Sequence, residues 1–102
     1  MKEANSFDTA LRSASEGAAL AEQVLERLDA GESVRLDLSS VEIMTPSFAN
    51  TLVMMLMARY ELAELRARCE FANRSAHIIE VMNRAATRYQ RGIRLSSQRQ
   101  AS

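Results

Sequence analysis

The sharpest alternation in the chain runs from Val34 to Leu38. Val34, Leu36 and Leu38 are apolar, while Arg35 and Asp37 between them are charged. That two-residue period puts the two sets of side chains on opposite faces of a sheet, so a strand is predicted here. Upstream, from Ser15 on, Leu20, Ala21, Val24, Leu25 and Leu28 recur at helical spacing, with Glu22, Gln23, Glu26 and Arg27 on the other side. This predicts an amphipathic helix closed by Gly31 as its C-cap. A weaker alternation over residues 5–12 sets Phe7, Thr9 and Leu11 against polar or small neighbours and predicts an edge strand.

Downstream of the strand, Thr45 precedes Pro46. Proline drives its predecessor out of the α region, while its own fixed φ and missing N–H suit a first helical position, so Thr45 is the predicted N-cap and Pro46 the helix start. At about 100° per residue, Phe48, Ala49, Leu52, Leu56 and Ala63 form one apolar stripe, with Val53 and Tyr60 on its margin. Met54 falls nearly opposite, among Asn50, Thr51, Ala58 and Glu61, and Met55 and Met57 lie on the flanks. Methionine is flexible and polarizable, and is favoured where a surface must fit a protein partner; oligomerisation or incidental exposure accounts for the same pattern.

Residues 66–72 alternate again, Ala67, Cys69 and Phe71 against charges, and predict a second parallel strand. Asn73 or Ser75 then caps a last helix. Ile78, Ile79, Met82, Ala85, Ala86 and Tyr89 form its apolar face, and His77, Glu80, Arg84, Thr87 and Arg88 its polar face. Gly92 ends it in this reading, Ile93 and Leu95 add a short edge strand, and residues 96–102 form a flexible tail outside a single domain of residues 1–95. Strands alternating with helices imply parallel pairing through crossover helices, hence a small α/β fold with a mostly parallel central sheet.

Composition adds one asymmetry to this picture. The net charge is zero, yet residues 1–50 hold four Lys/Arg against nine Asp/Glu and residues 51–102 hold nine against four. The two halves therefore attract each other or different partners. One cysteine, Cys69, excludes an internal disulfide, and with one histidine it cannot furnish a zinc site of the usual Cys/His composition. The first residues carry no apolar signal-peptide core, and the longest apolar run, Leu52 to Ala58, is far short of a membrane span. A soluble, cytoplasmic protein is the expectation.

Candidate chemistry is sparse. Gly17, Gly31 and Gly92 make no phosphate-cradling loop, so nucleotide hydrolysis and a dinucleotide cofactor are disfavoured and no cofactor is expected. Ser47, His77 and Asp37 have no spacing that joins them as a triad, and an enzyme is not expected. Five arginines follow Glu80 with no acid among them, and a nucleic-acid contact through this segment is an alternative reading. Another alternative is a small ligand or anion at the helix N-terminus opened by Pro46. Ser47, in the first turn of that helix, is a phosphorylation candidate because the positive dipole end tolerates a phosphate.

The run Val-Arg-Leu-Asp-Leu-Ser-Ser-Val-Glu-Ile-Met-Thr-Pro-Ser-Phe-Ala-Asn at 34–50, followed by Cys-Glu-Phe-Ala-Asn-Arg-Ser at 69–75, resembles the STAS fold of anti-sigma-factor antagonists. More closely, it resembles a bacterial STAS-like branch of unassigned function. The likeness spans about residues 12–90. In the antagonists the loop after the central strand carries a serine phosphorylated by a kinase that doubles as the anti-sigma factor. Aligned through Met44, Pro46 stands at that acceptor position and Phe48 at the following glycine, leaving Ser47 and Thr45 as the phosphorylation candidates. The resemblance implies a non-enzymatic interaction module that docks a regulatory protein, such as an anti-sigma factor or histidine-kinase-type ATPase. Thr45, Pro46, Ser47, Phe48, Asn50, Met54 and Met57 are the residues expected at that contact.

Overall fold

A computed structural model describes residues 2–4 and 10–101, and side chains from 10 to 92. The chain runs β1 (Lys2–Ala4), β2 (Ala10–Leu11), α1 (Ala14–Asp29), β3 (Val34–Asp37), β4 (Ile43–Met44), α2 (Pro46–Arg59), α3 (Leu62–Arg68), β5 (Cys69–Ala72) and α4 (Ala76–Ala101). Every strand pairing is parallel, as the alternation of strands and helices predicts. The strands do not form one central sheet, however. β1, β3 and β5 make a three-stranded sheet in that order, and β2 pairs with β4 apart from it.

The split follows from the turn after β3. Asp37 accepts the Ser39 N–H at 3.0 Å, and the Val41 N–H closes a turn on the Leu38 carbonyl at 3.0 Å. These bonds turn the chain out of the first sheet, so Ile43 and Met44 align with Ala10 and Leu11 instead. Val34, Leu36 and Leu38 are all buried, as their alternation requires, and Leu38 still donates to the Ala72 carbonyl at 2.9 Å beyond the end of the strand. The strand expected over 5–12 is represented by Ala10–Leu11; Phe7 and Thr9 lie outside the described residues.

Helix ends follow local chemistry closely. Ser13 and Glu16 form a reciprocal capping box at the start of α1. At its end Gly31 sits at φ 86°, its N–H bonded to the Leu28 carbonyl and the Glu32 N–H to the Arg27 carbonyl, each at 3.0 Å. This pair of bonds needs a left-handed residue between them, which glycine adopts without strain. For α4, Ser75 is the cap, accepting the Ile78 N–H at 3.3 Å. Asn73 instead takes the left-handed conformation at φ 60° and donates to Asp37 at 3.0 Å, tying the ends of β5 and β3.

Two stretches differ from the sequence reading. α2 stops at Arg59, and Tyr60 is extended (φ −133°, ψ 145°), so Ala63 belongs to a separate helix, α3, and is exposed. Residues 66–68, expected as strand, are the last turn of α3. Leu65 is its buried anchor, and Arg68 reaches across to the carbonyls of Leu28 at 2.6 Å and Glu32 at 3.1 Å. Those contacts hold Arg66–Arg68 helical, so only residues 69–72 of the alternating run join the sheet. Beyond Gly92, expected to end α4, the helix continues to Ala101, through the residues read as an edge strand and tail. Glycine inside a helix costs only about 1 kcal/mol relative to alanine, and Arg91, Arg94, Gln98 and Arg99 around it are good helix formers.

α1 and α2 run parallel: Gly17 meets Phe48 near their starts and Asp29 bonds Arg59 near their ends. α2 also packs on α4, which makes it the common neighbour in the helical layer. Its stripe of Phe48, Ala49, Leu52, Val53 and Leu56 is buried with Val24, Val34, Leu36, Met44 and Ile78. Among the described residues no helix is long and apolar enough to cross a membrane.

Candidate functional site

The helix opened by Pro46 is held at its start by the segment that leads into α1 and by the first turn of α4. Thr45 is extended and caps α2, its Oγ1 accepting the Phe48 N–H at 3.3 Å. The same hydroxyl donates to the Arg12 carbonyl at 2.6 Å, and the Thr45 N–H donates to the Leu11 carbonyl at 2.9 Å. On the other side the Met44 N–H lies 3.5 Å from His77 Nε2 in the first turn of α4. The segment leading into α2 is thus fastened to the entries of α1 and α4.

This geometry sorts the residues expected at a contact. Thr45 uses its hydroxyl both as donor and as acceptor, so a phosphate there would remove the bond donated to the Arg12 carbonyl. Pro46 and Ser47 are exposed, and the Ser47 hydroxyl has no hydrogen bond among the described residues. The ring of Phe48 is 1 % exposed, so Phe48 is a core residue and its side chain is not available to a partner. It sits on the buried stripe, which overrides its place in the loop. Asn50 is half-buried and Met54 is 50 % exposed. Met57 is half-buried and turns toward a cleft between α2 and α4.

Ser47, Asn50 and Met54 share the outer side of α2, since steps of three and four residues return to one face of a helix. Residues 46–58 hold no charged side chain. Of the helices that pack on α2, α1 exposes Glu22 and Glu26 elsewhere on its surface and α4 exposes Arg84, Arg88 and Arg91. The outer side of α2 is thus an uncharged strip with a half-exposed methionine.

The anion reading of the α2 N-terminus finds few donors. Pro46 has no N–H and the Phe48 N–H is taken by Thr45, leaving that of Ser47 in the first turn. Ser47, His77 and Asp37 are joined by no hydrogen bond among the described residues. Asp37 accepts from Asn73 and from the Ser39 N–H, and these bonds, Asn73 first, hold its carboxyl below the usual carboxylate value. Of the arginines after Glu80, Arg84 is paired with Glu80 itself one turn away. Arg88 and Arg91 line an open groove along α4 with Ile79 and Thr87.

A polar cluster at the far end of α1 and α2 was not legible in the sequence. Asp29 accepts from the Tyr60 hydroxyl and from Arg59, and Arg68 stacks over the Tyr60 ring at 5.6 Å from its centre. The Tyr60 hydrogen bond, then the Arg59 charge, hold Asp29 below its ordinary pKa, and the same bond raises Tyr60. Its members are separated by 30 residues or more except within the Arg59–Arg68 segment, so no local spacing announces it.

A sequence profile described as a STAS-like domain of unknown function (DUF4325) matches residues 16–78. That span runs from the capping box of α1 to the first turn of α4 and includes β3, α2 and β5. No curated protein and no solved structure matches the chain.

Proposed function

The chain belongs to the STAS-like family of unknown function, and from that premise we propose that it is a regulatory protein-interaction module that docks its partner on the outer face of α2. The observation that carries the reading is the uncharged strip over residues 46–58, with Met54 half-exposed at its middle. The core of a protein interface is likewise depleted of charge and enriched in methionine. Met54 and Asn50 supply the core of the contact, and Pro46 and Ser47 its edge at the helix start.

The module acts by binding and not by catalysis. Its partner, by the likeness to anti-sigma-factor antagonists, is a regulatory protein of the anti-sigma or histidine-kinase-type ATPase class. Phosphorylation of Ser47 is the regulatory step. It would place roughly two negative charges at the positive end of α2, where the helix itself tolerates them, but on the rim of the docking face, where they change the fit.

The experiment is affinity capture from an extract of the native cell with the full chain, comparing wild type, Met54→Glu, Ser47→Asp and, as a control, Glu22→Gln on α1. A regulatory protein retained by wild type and Glu22→Gln but lost by Met54→Glu and Ser47→Asp is the expected result. Identical capture by all four proteins would refute the assignment. Mass spectrometry of the chain recovered from the cell reads Ser47 modification in the same experiment.

A further inference from the structure

Between α2, α3, β5 and α4 lies a cleft of about 410 Å³, within the range of small-molecule sites. Its floor is apolar: Met57, Leu65, Phe71 and Met82 line it. Two of these are methionines, which adjust to an occupant at little cost. Its polar lining holds two cations, one acid and the amide of Asn83. Arg66 and Arg74 both border the cleft, and neither has a carboxylate within ion-pair distance among the described residues. Arg74 Nη1 lies 3.9 Å from Met82 Sδ, which sets the guanidinium against the apolar floor. The acid of the cleft, Glu70, is already engaged: its Oε1 is 3.4 Å from Arg35 Nε on the neighbouring strand.

We propose that this cleft binds a small amphipathic anion, with the apolar body on the Met57–Phe71–Met82 floor and a carboxylate between Arg66 and Arg74. Arginine suits this task because its planar fork meets a carboxylate with two parallel hydrogen bonds. The charge balance selects the head group. With Glu70 held by Arg35, the rim presents two uncompensated cations, so a cationic amphiphile of equal length is rejected. The site is distinct from the outer face of α2 that carries Ser47 and Met54, so its failure leaves the docking assignment standing.

The test uses the full chain labelled at its methionine methyl groups, titrated with decanoate below its micelle concentration and, separately, with decyltrimethylammonium. The expected result is saturable movement of the Met57 and Met82 methyl signals with decanoate, none at Met54, and no saturation with the cation. The variant Arg66→Gln/Arg74→Gln keeps the side-chain stems and should bind decanoate at least about tenfold more weakly, with an unchanged urea midpoint showing that it is folded. A single exchange, Arg66→Gln at an exposed position, gives the same direction if the double variant is unstable. No saturable shift up to ~1 mM decanoate, or equal binding of anion and cation, overturns the proposal. So does binding that survives both arginine replacements.

Discussion

On its α1 side, α2 is met at both ends: a Cβ on Gly17 would stand 2.6 Å from the Phe48 carbonyl oxygen, and Asp29 holds Arg59 and Tyr60. On its α4 side the same helix is tied near its start through Met44 and His77, and a cleft lined by Met57 and Met82 lies beside it. The difference lies in side-chain size. Gly17, buried on α1, lets the backbones approach closely, whereas on the other flank the long side chains of Met57 and Met82 line a cleft. One flank fixes where α2 stands and the other leaves room beside it. The outer face between them is therefore presented on a rigid element, which is what a docking surface requires.

The strongest way to break this contrast is to crowd the tight flank. Gly17→Ala improves intrinsic helix propensity by about 1 kcal/mol, yet its methyl group meets backbone, which cannot rotate away. A net loss of about 2 kcal/mol is expected from urea unfolding. A stabilised Gly17→Ala protein would show that the two helices are not in close contact. On the open flank, Met57→Leu conserves volume, so a change below about 1.5 kcal/mol is expected from the same measurement.

The next effect is seen in alkali. Burial pushes the Cys69 thiol up to about 11. A folded-state pKa above the unfolded one gives stability that is complete below the unfolded value and lost as pH rises through the folded value. Stability should therefore decline from about pH 9 toward pH 11, and Cys69→Ala should flatten that limb relative to wild type in urea titrations. Asp29 works in the opposite sense. Its carboxyl is held low by Tyr60 and then Arg59, so its contribution is present above the ordinary carboxylate value and lost as pH falls through the lowered one. Asp29→Asn should remove a small part of the acid-limb slope below about pH 4. An unchanged slope would mean that the polar cluster does not fasten α1 to α2. Smallest of all, Met54→Glu should leave stability within about 0.5 kcal/mol of wild type, because its side chain is half in solvent.

Features with a local cause were legible in the sequence. Thr45-Pro46 starts α2, Gly31 closes α1, and the alternation of Val34, Leu36 and Leu38 marks a buried strand because each depends on neighbours a few residues away. The apolar stripe of α2 was equally plain, and it placed Met54 on the outside and Phe48 inside, although Phe48 also lies in the loop expected to face a partner. What lay beyond reach depends on distant partners. Arg66–Arg68 look like strand until Arg68 finds the carbonyls of Leu28 and Glu32, and Gly92 looks like a terminator although the residues around it favour helix. The cleft, likewise, exists because four elements fail to close on one another, and no pattern in a single segment encodes that.

The most direct test of the docking face places a photo-crosslinking residue at Met54 in the full chain within its native cell, with the same residue at Glu22 on α1 as the comparison. A discrete protein adduct from position 54 and none from position 22 is the predicted result. No adduct from 54, or the same adducts from both positions, would contradict the assignment of α2 as the surface through which this protein acts.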